Sequence, residues 1–100
     1  MKSMNDKLRD PQADFLFSAI LTLKTLDDCY RFFEDLCTAS ELKSMAQRIQ
    51  VAALLQEGKT YSEIFESTGV STATISRVNR SLEYGADGYA DVLKKVKGEA

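Results

Sequence analysis

Thr72, Ala73, Thr74, Ser76, Arg77 and Arg80 stand close together in a segment, Ser71 to Leu82, that holds no acidic residue. Ile75 and Val78, three apart, mark one buried stripe of a helix, which leaves those side chains and Asn79 on the outside. Hydroxyls and guanidinium groups reach phosphate oxygens and base edges, and small residues let a helix sink into the major groove of DNA. The chemistry this segment offers is contact with double-stranded DNA. The plainer alternative is a surface helix in a pair joined by a glycine turn, an arrangement that also occurs in proteins that never touch DNA.

The elements that must hold this segment lie just before it. Thr60-Tyr61-Ser62-Glu63 is a capping box that opens a short helix, with Ile64 and Phe65 pointing inward. Gly69 suits the reversal after that helix because it tolerates positive φ, Val70 plugs the turn, and Ser71 is a good N-cap for the second helix. The whole unit, about 60–83, reads as a helix-turn-helix. Phe65 departs from the pattern, since the position four before the turn glycine is usually Ala. Either the two helices cross at a wider separation, or Phe65 leaves their interface.

Composition narrows the rest. The chain has 100 residues, 44% hydrophobic and 28% charged, with one Pro and five Gly, which favours one helical globular domain, 12–98, behind a polar N-terminal arm, 1–11. A net charge of −2 argues against a sequence-independent coat of nucleic acid but allows a reader whose positive charge sits on one face. There is no His and only Cys29 and Cys37, so no tetrahedral zinc site is expected and the thiols read as reduced core residues. With no nucleophile–base pair, paired carboxylates or phosphate loop, an enzyme is not expected. No run reaches the roughly 18 apolar residues of a membrane span, and the expected location is the cytoplasm.

Taken in order, the chain predicts a helix from about Gln12 to Lys24 whose Phe15, Leu16, Phe17, Ile20, Leu21 and Leu23 leave almost no polar face. A second runs from a Thr25 cap to about Cys37. Thr38-Ala39-Ser40-Glu41 caps a long third helix, to about Glu57, with one stripe on Leu42, Met45, Ala46, Ile49 and Ala53 and another on Val51, Leu54 and Leu55. A last helix carries Tyr89, Val92, Leu93 and Val96 inward. So small a chain cannot hide this much apolar surface alone, which points to an interlocked homodimer; the alternative is a monomer with the N-terminal helices folded over the helix-turn-helix.

Ala73-Thr74-Ile75-Ser76-Arg77 with Ser81-Leu82 resembles the recognition helix of the tryptophan repressor. Thr38, Glu41, Arg48, Leu55 and Gly58 resemble that family's central helix. LDDCYRFFEDLC and TGVSTATISRV are similar to the YerC/YecD-type group of Trp repressor-like proteins of Gram-positive bacteria. The resemblance implies an all-α fold of six helices, an intertwined dimer, and a transcriptional regulator of repressor type on a palindromic operator. It also implies an effector pocket at Thr38, Arg48, Arg77 and Ser81, where two guanidinium groups would grip a carboxylate. Val78 stands where the family's pocket has Gly, and Asp35 and Ala52 replace apolar lining residues, so tryptophan is not expected as the effector and no cofactor is expected. The alternative function is a protein-interaction module that keeps the fold and acts on another transcription component, which the acidic pI would suit.

Overall fold

The computed structural model describes residues 9–98, and the regular elements among them are six α-helices. They are α1 (Pro11–Ile20), α2 (Leu26–Leu36), α3 (Ala39–Gln56), α4 (Tyr61–Thr68), α5 (Thr72–Tyr84) and α6 (Gly88–Val96). The expected all-α class and number of helices are both met. Most of the expected N-terminal arm lies outside the described residues; of its last residues, Asp10 caps α1 and Pro11 is its first helical residue. The described chain separates into two compact units, 43–98 and 9–42, with the boundary inside α3.

The larger unit is built on one apolar cluster. Val51 and Ala52 come from α3, Ile64 from α4, Val70 from the turn, Ile75 and Val78 from α5, and Leu93 from α6. Leu54, Leu55, Leu82 and Tyr89 pack around it. Because α5 contributes two fully enclosed side chains and packs on both α4 and α6, its axis is set by the cluster and its opposite face is left free. The third helix turns Val51 and Ala52 inward, whereas Ala46 and Ile49, expected in a buried stripe, are exposed. Val92 and Val96 of α6 are exposed too, so its buried contact rests on Leu93 and half-buried Tyr89.

Local hydrogen bonds fix the angle between α4 and α5. Thr60 and Glu63 form the reciprocal capping box, at 2.9 and 3.1 Å. Gly69 ends α4 with φ +74° and donates its N–H to the Phe65 carbonyl at 2.8 Å, a conformation that costs a residue with a Cβ roughly 1 kcal/mol or more. Thr68 Oγ1 donates to the Ile64 carbonyl at 2.7 Å and accepts the Val70 N–H at 3.1 Å, so the turn is tied to α4 on both sides. Phe65 does not point inward with Ile64. It is 50% exposed and stands outside the apolar cluster, so the large ring is not enclosed with Ile64.

In the smaller unit the helix starts are equally well made. Asp10 accepts the Ala13 N–H at 2.7 Å, and Thr25 accepts the Asp28 N–H at 3.0 Å. Thr38 and Glu41 exchange bonds of 3.1 and 2.8 Å at the start of α3. The first helix stops at Ile20 rather than Lys24, because Thr22 Oγ1 turns back onto the Ala19 carbonyl at 2.7 Å and the chain enters a turn. No described residue of α1 or α2 is buried. Phe15 is 79% exposed and Leu21 84%, with Phe17, Leu26 and Tyr30 also open. Cys29 and Cys37 are half-buried free thiols.

Candidate nucleic-acid interface

The free face of α5 gathers the residues singled out by type and spacing. Thr72, Ala73, Ser76, Arg77 and Arg80 are exposed. Thr74 is half-buried at the first turn, where Ser71 caps the helix by accepting its N–H at 3.3 Å. The Ser71 hydroxyl in turn donates to Thr74 Oγ1 at 3.1 Å. Asn79 is drawn partly inward, its amide donating to Glu83 Oε1 at 3.3 Å. Neither Arg77 nor Arg80 has a carboxylate partner among the described residues, so both guanidinium groups keep their full donor set for a ligand.

Charge is divided between the two helices. The outer side of α4 carries Glu63 and Glu66, and that of α5 carries Arg77 and Arg80. The Thr60 N–H bonded to Glu63 holds its carboxyl below the usual range, helped by the Thr60 hydroxyl and the nearby Lys59 charge. The cap of α4 is therefore ionised at neutral pH. A polyanion is favoured at α5 and disfavoured at α4.

One exposed residue on the same stripe escaped the reading of the sequence. Tyr84 is the last residue of α5 and follows Ala73, Arg77 and Arg80 at spacings that keep all of them on one side of the helix. Ending the helix-turn-helix at about residue 83 hid it; the i+4 relation to Arg80 was the available signal.

Of the residues expected to form an effector pocket, Thr38 falls in one compact unit and Arg48, Arg77 and Ser81 in the other. Thr38 belongs to the 9–42 unit, where its hydroxyl accepts the Glu41 N–H. Within the larger unit a groove of about 460 Å³ is lined by Ile49, Ser81, Gly85, Ala86, Gly88, Tyr89 and Val92. Ser81 is thus in the lining, whereas Arg48 and Arg77 are exposed and outside it. Val78 is only 2% exposed and Ala52 is fully buried, so both serve the apolar cluster. Asp35 is exposed on α2.

Residues 11–97 match the family model described as Trp repressor protein. The chain belongs to the Trp repressor family. The family is one of transcription regulators. The Bacillus subtilis (strain 168) protein YerC, itself uncharacterized, is 58% identical over 92 residues, covering 92% of this chain and 88% of YerC. A TrpR-like protein from Eubacterium eligens ATCC 27750 superposes with a TM-score of 0.89 at 53% identity, over 96% of this chain and 99% of that one. A Trp repressor candidate from Staphylococcus aureus gives 0.90 at 49% identity, over 98% and 99%. Similarity of this extent makes the chain a YerC-type Trp repressor-like protein. Among the described residues, no helix is long and apolar enough to cross a membrane.

Proposed function

We propose that this Trp repressor-like chain acts as a homodimeric transcriptional regulator of repressor type, each protomer laying α5 in the major groove of a palindromic operator. The observation that carries the reading is the free face of α5, where Thr72, Ala73, Ser76, Arg77 and Arg80 stand exposed and neither arginine is paired with a carboxylate among the described residues. Thr74 sits at the helix N-terminus, the end that meets base edges in helix-turn-helix proteins. The dimer is supported by the bare aromatic and aliphatic side chains of α1 and α2, Phe15, Phe17, Leu26 and Tyr30 among them, which a second copy of the chain would cover.

The effector part of the proposal is negative. Val78 fills apolar space at the position that the family leaves to glycine, and the groove beside Ser81 has no guanidinium in its lining. DNA binding is therefore expected without tryptophan as co-repressor.

The test is binding to duplex DNA as a function of salt. The purified dimer should bind with a logarithmic salt slope set by its phosphate contacts, at about 0.9 per contact. Thr74→Glu should abolish sequence-specific binding while leaving the fold intact, because a carboxylate at a groove-facing position opposes the phosphates. Unchanged affinity of that variant would remove α5 as the reading element.

A further inference from the structure

The α5 stripe does not end with its arginines. Ala73, Arg77, Arg80 and Tyr84 occupy positions i, i+4, i+7 and i+11 of one helix, within about 60° of one another around its axis. Tyr84 is 78% exposed, and its phenol makes no hydrogen bond among the described residues. It lies outside the lining of the groove beside Ser81 and outside the apolar cluster, so nothing in the fold of the 43–98 unit uses the ring. Glu83, its neighbour in sequence, is about 100° further round, where Asn79 donates to its carboxylate. The arc that Tyr84 shares with Ala73, Arg77 and Arg80 holds no acid, and Glu83 borders it about 60° beyond Arg80.

Position along the axis decides what the phenol can reach. Tyr84 is about 16 Å from Ala73 at a rise of about 1.5 Å per residue. The major groove is about 12 Å wide, and the N-terminal residues of a recognition helix meet its floor. A side chain so far from that end passes the groove wall and meets the sugar-phosphate backbone. A phenol suits that place: its O–H donates to a phosphate oxygen, and its ring covers the apolar side of a deoxyribose.

Resting on the proposed reading of DNA by α5, we infer that Tyr84 is a backbone clamp, a positioning residue that hydrogen-bonds a phosphate at the edge of the groove and sets how α5 lies in it. Its contact is neutral. It adds affinity without displacing a counterion, which separates it from Arg80.

The experiment compares wild type, Tyr84→Phe, Tyr84→Ala and Arg80→Ala on a duplex selected from a random pool by the wild-type protein, over a salt series. Tyr84→Phe should lose roughly 10-fold in affinity and Tyr84→Ala more, on selected and unselected DNA alike, with the salt slope unchanged. Arg80→Ala should lose affinity and also lower the slope by about one. Both Tyr84 variants should keep the wild-type melting temperature and sedimentation coefficient, since the ring is exposed. Wild-type affinity in Tyr84→Ala would overturn the inference while leaving the reading of DNA by α5 in place. A changed sedimentation coefficient would overturn it in favour of a contact between protomers. A wild-type protein that selects no duplex would remove the proposed function and the clamp together.

Discussion

Ser71 and Thr74 are joined twice, the Ser71 hydroxyl accepting the Thr74 N–H at 3.3 Å and donating to Thr74 Oγ1 at 3.1 Å. With its oxygen already accepting a bond, Thr74 has its own hydroxyl proton to offer to an acceptor outside the protein. One serine thus starts α5 and sets the donor character of the residue expected to meet DNA.

Ser71 should separate stability from recognition. Ser71→Ala removes the cap and should cost about 1 kcal/mol, lowering the melting temperature by roughly 4–8 °C for a domain of this size. Ser71→Asp restores a good cap while placing a charge opposite phosphate. It should melt like wild type and bind DNA far more weakly. Thermal melts and DNA titrations on the two variants check this, and loss of stability in Ser71→Asp would contradict the capping role.

Self-association should be obligatory at working concentrations. Phe15, Leu21 and Leu26 are bare in the isolated chain, and burying such side chains stabilises by roughly 1.5–3 kcal/mol each. Sedimentation at micromolar concentration should give a dimer, and unfolding should depend on protein concentration. A folded monomer with concentration-independent melting is the contrary result.

Gly85 should resist replacement although its φ is ordinary. Its N–H donates to the Ser81 carbonyl at 2.9 Å, and a Cβ built on it would overlap that same oxygen. Gly85→Ala must therefore open the end of α5 and should cost about 1–3 kcal/mol, as overpacking against unyielding atoms does. A melt indistinguishable from wild type would show that the link to α6 gives way easily.

Acid should weaken the caps of α3 and α4. The Thr38 and Thr60 N–H groups, followed by the threonine hydroxyls, hold the carboxyls of Glu41 and Glu63 below the usual range. Groups with depressed folded values contribute stability above the unfolded value, about 4.3, and lose it as pH falls through the folded one. Melting temperature should be level above about pH 6 with respect to these groups and fall below about 4.3. Glutamine still closes a capping box but does not titrate. The Glu41→Gln, Glu63→Gln double variant should therefore show a shallower acid fall, and an identical fall would exclude the caps as its source.

The sequence made the helices legible because their starts carry explicit chemistry: Asp10 before Pro11, Thr25 before Leu26, Thr60 with Glu63, Ser71 before Thr72. Ile64, Val70, Ile75 and Val78 were legible as core because their spacing admits one buried face. Phe65 and Val96 were misplaced inward because hydrophobicity alone does not say which apolar side chains a single chain can cover. Tyr84 was missed for the opposite reason. Its position follows from where α5 ends, and helix ends are the least sharply encoded feature of a periodic pattern.

Tryptophan should have no effect on operator affinity. Val78 and Ala52 are packed into the apolar cluster, and fitting an indole against Val78 would overpack it by about 1–3 kcal/mol, a loss of roughly 5- to 150-fold. Calorimetry at millimolar tryptophan should give no saturable heat. Saturable binding that also tightened DNA would mean that Val78 yields.

The central claim, that paired α5 helices read one operator, is tested most directly by selecting duplexes from a random pool with the wild-type protein and sequencing them. A dimer with two reading helices predicts an inverted repeat whose half-site centres lie about 34 Å apart, one turn of DNA. An asymmetric single site, or no enrichment over the starting pool, would contradict it.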